Sequence, residues 1–434
     1  MTAARTAYLG VRLLDPASGL DQTGALLTEG GVIADLGPGL FADGVPEGID
    51  RVDGRDLALA PGLIDMHAHL REPGAEHQET LSSAGAAAAA GGITTLIATP
   101  NTMPVIDEVA LVEFVARRGL ESCAVRVLPM AAATKGLAGL EMTEMGLLAQ
   151  AGAVAFTDGD RALADPRLMR RALAYASTFG LLLVQPVEEP ALARDGMMNE
   201  GEIAMRLGLA GIPTVAETIL VERDLRLVEL TGGRWHAAHL STAQAIDAVR
   251  QAKRRGLTIS AGAAPANFAL NETAVGEYRT FAKVKPPLRS EDDRQAVVAG
   301  LRDGTIDVIS SGHAPQDADS KRLPFAQAAF GIVGLETMLP LALELWHNGS
   351  LPLLTLLKAM TCRPAEILGL AQGRLAIGAP ADLVLLDLSV PWRIDERRFR
   401  SKSRNSPFGG RPVQGRAVRT IVAGRTVFDR TEEA

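Results

Sequence analysis

The chain has 434 residues, 22% of them charged, and a net charge of −7; that length exceeds what one hydrophobic core supports, so a large domain with a smaller companion is expected. An acidic balance without a broad basic stripe excludes nucleic acid as the expected partner. Cys123 and Cys362 are the only cysteines, which excludes a disulfide framework and a thiolate-rich metal site and points to a reducing, cytoplasmic setting.

At the N-terminus no long apolar core follows a basic start, so no signal peptide is expected. Short β-type runs with glycine punctuation fill residues 7–35 and return at 382–428, where Leu383-Val384-Leu385-Leu386 and Val418 to Val427 stand out. Neither end is long enough to bury a strong core alone. Together they predict one small β-domain built from both termini, with residues 1–60 and 373–434 contributing to it.

Between them, residues 61–372 alternate β-like runs with helix-period segments. The runs are Leu63 to Leu70, Thr94 to Pro100, Ala124 to Met130, Ala153 to Asp158, Leu181 to Pro186, Arg234 to Ser241, Leu257 to Ala263 and Ile306 to His313. Helices are expected over Pro166 to Phe179, Ala243 to Arg255 and Gly334 to His347, the first two stopping at Gly180 and Gly256. Eight β-runs with intervening helices predict an α/β fold, a closed (β/α)8 TIM barrel. The apolar stretch Ala84 to Ala90 is too short to span a bilayer. The cluster Arg397 to Arg404 reads as a solvated turn or a subunit contact.

In such a barrel, chemistry sits where strands end. His67 and His69 stand two residues apart, so on a strand they share a face and supply half of a metal site. Asp65 falls on that face too, and Arg71 is placed to receive an anion one step further out. Asn101, Asp158, Gln185, His239 and Gly312 lie at other strand ends. His236, three positions before His239, is expected to face the opposite side. The plain readings are an Asp158 that caps a helix, a satisfied buried imidazole at His239, and an Arg71 paired with Glu72. Lys135 and Lys321 read as solvated loop charges, and Met142, Met145, Met197 and Met198 as packing or loop residues.

The run Pro61-Gly62-Leu63-Ile64-Asp65-Met66-His67-Ala68-His69-Leu70-Arg71-Glu72-Pro73-Gly74 resembles the signature of dihydroorotases within the cyclic amidohydrolases. Pro100-Asn101-Thr102, Ala155-Phe156-Thr157-Asp158, His239-Leu240-Ser241-Thr242, Pro286-Pro287-Leu288-Arg289 and Gly331 to Glu336 resemble further blocks of that family, in the same order. The resemblance implies one or two zinc ions and the interconversion of N-carbamoyl-aspartate and dihydroorotate in pyrimidine synthesis. It implies metal ligands at His67, His69, Asp158 and His239, and a substrate-carboxylate clamp at Arg71 and Asn101. Zinc would lower the pKa of a bound water, and a carboxylate ending the eighth strand would shuttle the proton.

This chain departs from that pattern. Gln185 stands where a histidine ligand is expected, and Gly312 where an aspartate would both bind metal and carry the proton. Gln316 replaces a histidine, Lys285 stands where an asparagine would face the ring, and Ala263 to Asn267 lacks the family's histidines. His313 neighbours Gly312 but is expected to point to the other face. The pattern resembles the non-catalytic homologues that support aspartate transcarbamoylase as structural subunits. That likeness implies weak zinc occupancy, turnover reduced beyond roughly 10³-fold, and a homo- or hetero-oligomer. The alternative is an active zinc-dependent dihydroorotase with a rearranged site; a hydantoinase or allantoinase is a third reading.

Overall fold

The computed structural model describes residues 5–430. The first and the last of the described strands belong to one eight-stranded sheet. The N-terminal strands Arg5–Asp15, Leu20–Glu29, Val32–Gly37, Asp50–Asp53 and Ala58–Pro61 join the C-terminal strands Leu383–Arg393, Pro412–Val422 and Arg425–Asp429. The seam runs between Ala58–Pro61 and Leu383–Leu386, which pair antiparallel. One face buries Tyr8, Val11, Leu13, Leu26, Ile33, Leu59, Leu383, Leu385 and Ile421 as a single cluster. Neither half of the sheet has these partners alone, which is why the two termini fold together.

The remainder is a (β/α)8 barrel. Its strands are Leu63–Ala68, Ile93–Ala98, Arg126–Pro129, Phe156–Thr157, Leu182–Gln185, Arg234–Ala237, Ile259–Ala263 and Val308–Ile309. Neighbouring strands pair parallel. The ring closes where Ala68 bridges His313 and the His69 N–H donates to the His313 carbonyl at 2.9 Å. Asp65 adds a side-chain clasp to this closure. It is fully buried, accepts from the Ser311 N–H at 2.9 Å and is also bonded by the Ser311 hydroxyl. Asp65 therefore joins the first strand to the end of the eighth and does not line the cavity with His67 and His69.

Helices Pro166–Thr178 and Ala243–Arg254 form where the sequence predicts them, whereas the helix expected from Gly334 begins one turn later, as Met338–His347. Gly180 and Gly256 follow two of them with φ of 65° and 83°, the left-handed turn that glycine adopts most readily. Leu81–Ala90 packs its alanines against the barrel with Thr80 as a side-chain cap. Among the described residues no helix is long and apolar enough to cross a membrane.

Two surface expectations change. The segment from Phe399 to Ser406 is docked on the barrel, with Ser401 bonded to Glu79 and the Arg400 N–H to Glu336 at 2.6 Å. Lys321 is 3% exposed and so is no solvated loop charge, whereas Lys135 is exposed and pairs with Glu141 at 2.5 Å.

Candidate functional site

A cavity of about 310 Å³ opens at the C-terminal ends of the barrel strands. His67, His69, Arg71, Asp160, Glu188, His239, Lys285, Gly312 and Gln316 are among the residues that line it. The first strand delivers His67 and His69, whose ring centroids lie 5.2 Å apart; the His239 ring meets that of His67 at 4.9 Å. The shared face read from the spacing of His67 and His69 is thus realised.

Burial and the neighbouring rings of His239 and His69 hold His67 well below the ordinary imidazole range. Burial, then His236 and His69, lower His239 to about 3. Both are neutral at pH 7. The His239 Nε2 lies 2.9 Å from the Ser310 hydroxyl, which occupies that nitrogen. His236 faces away, as expected, and meets the Ser260 hydroxyl at 2.8 Å.

The carboxylate beside the histidines is not Asp158. Asp158 is 2% exposed, accepts from the Thr134 N–H at 2.9 Å and from its hydroxyl, and is not part of the cavity wall. Asp160 lies in the wall instead, with Oδ1 3.2 Å from His69 Nε2 and Oδ2 accepting from Asn101 Nδ2 at 3.0 Å. Desolvation works against its charge, but His69, His67 and Arg71 outweigh it and hold Asp160 below the usual carboxylate range. The signal missed was Gly159. With φ of 66° it turns the chain after Asp158, and a Cβ there would come within 2.9 Å of Asn101. That turn carries Asp160 to the cavity.

Asn101 is drawn into the same group. Its Oδ1 lies 3.0 Å from His69 Nδ1, so its amide bridges His69 and Asp160. Arg71 has φ of 62°, and its Nε donates to the Pro315 carbonyl at 3.2 Å. It is not paired with Glu72, which instead meets Arg118 at 3.1 Å. Lys285 reaches Glu188 at 2.7 Å on the wall. Gln185 is buried, accepts from the Leu163 N–H at 3.3 Å and does not line the cavity. His313 points away from the cavity, towards Glu79 and the Gly334 N–H.

Gly312 lines the cavity with φ of 63° and presents no donor. Among the described residues no group of three or more His, Cys, Asp or Glu side chains is arranged to hold a metal ion. The reasons are local. His239 is engaged by Ser310, Asp158 by Thr134 and Gln185 by Leu163, while position 312 is bare. The donor set, as its side chains stand, does not fit a zinc centre. The arrangement can hold a small anion at Arg71 beside neutral imidazoles.

A family model described as dihydro-orotase-like matches residues 56–245, and one described as amidohydrolase family matches 221–428. A dihydroorotase of Anaplasma phagocytophilum is 46% identical, covering 97% of this chain and 95% of its own length. One of Pelobacter propionicus is also 46% identical, over 96% of this chain and 98% of its own. Among solved structures, an L-hydantoinase (dihydropyrimidinase) from Arthrobacter aurescens superposes with a TM-score of 0.89 at 24% identity, covering 99% and 97% of the two chains. That last likeness speaks to the barrel and its companion sheet alone. The extent of the sequence match places this chain in the dihydroorotase family of the amidohydrolases.

Proposed function

We propose that this chain serves de novo pyrimidine (UMP) synthesis as a catalytically weak or inactive dihydroorotase-like protein. In this reading it acts as a structural partner of aspartate transcarbamoylase. The observation that carries the reading is Gly312. Ring closure of N-carbamoyl-aspartate forms a bond from the carbamoyl nitrogen to a carboxyl carbon and expels one carboxyl oxygen as water, so the proton lost by the nitrogen must reach that departing oxygen, and a positioned acid–base group contributes about 10²–10⁴-fold. Glycine at this strand end has no atom to carry that proton. Arg71 still offers guanidinium donors to a substrate carboxylate, so binding without efficient turnover is the expected behaviour.

A second reading is an active zinc-dependent dihydroorotase. Asp160, 3.2 Å from His69 Nε2, favours it, as do the relatives named dihydroorotase. That reading needs His67, His69 and Asp160 to reorient into a zinc-binding set that they do not form as they stand; zinc held there would supply an activated water, with Glu188 on the wall as the remaining acid.

One experiment separates them. Purified protein is assayed for dihydroorotate turnover with and without zinc and the transcarbamoylase, and the mixture is run by size exclusion. Background turnover with co-elution supports the first reading. Brisk turnover that is lost in His67→Ala establishes the second, and no association at any ratio removes the structural role.

A further inference from the structure

Lys321 and Lys283 are both 3% exposed, and among the described residues neither has a carboxylate partner. Their ammonium groups are satisfied by backbone carbonyls. Lys321 Nζ donates to the carbonyls of Ala329 at 2.7 Å, Thr280 at 3.0 Å and Lys283 at 3.3 Å. Three donors thus meet three acceptors. Lys283 Nζ donates to Phe325 at 2.7 Å and Ala326 at 3.0 Å, and lies 4.7 Å from the centre of the Phe330 ring. Burying two cations without a counter-charge is unfavourable. Burial and the Lys283 charge push Lys321 down to about 7.

The segment these lysines grip is a wall of the cavity. Gln316, Phe330, Gly331 and Ile332 line it. Between Gln316 and Ile332 the only helix is the short Ala318–Arg322. Phe330, Lys285, Glu188 and Asp160 also line a second cavity of about 600 Å³, which adjoins the first at Phe330. The Gly331 N–H donates to the same Lys283 carbonyl that Lys321 grips.

We propose that Lys321 and Lys283 form a two-point latch that holds residues 316–332 in place as the cavity wall. The three-carbonyl cage around Lys321 is in effect a monovalent-cation site filled by a side chain of this chain. The carbonyls accept N–H donors from the lysine head, so ammonium chloride, which supplies both ammonium and neutral ammonia, provides a small N–H donor able to take the place of that head whichever form the buried cage admits. The two lysines are positioning residues. The latch stands apart from any reading of turnover.

The test is amide hydrogen exchange of the full chain without substrate. Lys321→Ala opens the cage. The expected result is exchange at Ala329 and Gly331 roughly tenfold faster than in the wild type, restored by ammonium chloride and not by equal tetramethylammonium chloride, whose ion is too large. Lys321→Met, which fills the space without donating, is expected to be as loose and not to respond to ammonium. Should Lys321→Ala not fold, Lys283→Met gives the second readout, with faster exchange expected across residues 325–331. Wild-type exchange rates in the variant that folds, or loosening in Lys321→Ala that ammonium leaves unchanged, would overturn the proposal.

Discussion

Asp160 and His69 meet at 3.2 Å between Oδ1 and Nε2, while Asp158, two residues earlier, is turned onto Thr134. The two aspartates therefore separate by experiment. Asp160 is the charge that acts on Arg71 and competes with a ligand carboxylate for it, so Asp160→Asn is expected to tighten dihydroorotate binding by about two- to fivefold, a modest effect because the Asp160 side chain, though its carboxylate is turned into the cavity, is 58% exposed and screened by solvent. Asp158→Asn is expected to leave that affinity unchanged and to lower the unfolding free energy by about 1–2 kcal/mol through its weakened bonds to Thr134. Calorimetric titration and urea unfolding read the two outcomes. Equal effects of both substitutions on affinity would contradict this assignment.

Gly312 invites repair, but its backbone resists it. A Cβ at this position would stand 2.9 Å from the Ala264 Cβ, on a backbone with φ of 63°. A left-handed aspartate costs about 1 kcal/mol, and the contact adds to that. Gly312→Asp alone is therefore expected to be less stable and still slow. Gly312→Asp with Ala264→Gly relieves the contact and is expected to raise zinc-supplemented turnover of dihydroorotate by at least about tenfold over the wild type. No increase in the well-folded double variant would show that the missing carboxylate does not limit the rate.

The barrel and the two-ended sheet were legible because they rest on pattern, namely short β-type runs with glycine punctuation at both termini and eight β-runs with helices between them. The facing of His67 and His69 was legible from their spacing. The swap of Asp158 for Asp160 was not, because it depends on how Gly159 turns a loop, and side-chain alternation holds only inside a regular strand. Asp65 shares the parity of His67 and was read with it, yet the Ser311 N–H and hydroxyl claim its carboxylate. Lys321 looked like any loop lysine. Its burial follows from carbonyls contributed by Thr280 and Lys283, some forty residues away in sequence, and no local pattern encodes such a contact.

His236 gives the fold a measurable acid sensitivity. Burial lowers its pKa to about 4, below the unfolded value of about 6.5. Between those values the unfolded chain binds a proton that the folded one refuses. Stability attributable to this group is therefore intact above pH 6.5 and is lost as the pH falls towards 4, by up to about 1.4 kcal/mol per pH unit. His236→Gln keeps a polar partner for Ser260 without titrating. The stability of the wild type relative to this variant is expected to decline steadily from pH 6.5 to 4 in urea unfolding, and a pH-independent difference would refute the assignment.

Gly85 sits inside the helix Leu81–Ala90, where a glycine ordinarily costs about 1 kcal/mol relative to alanine. Propensity alone therefore favours Gly85→Ala. Packing opposes it, because a Cβ at Gly85 would lie 2.3 Å from Cys123 Sγ and 2.9 Å from the Ala124 nitrogen. The sulfur could shift, but the backbone nitrogen belongs to the chain entering the strand Arg126–Pro129. Overpacking of this kind costs about 1–3 kcal/mol, which exceeds the propensity gain over most of that range. Gly85→Ala is expected to lower the melting temperature. Adding Cys123→Ala should recover part of the loss, because it removes the sulfur and leaves only the backbone contact. A more stable Gly85→Ala would mean that the helix and the strand are not held as closely as 2.9 Å implies.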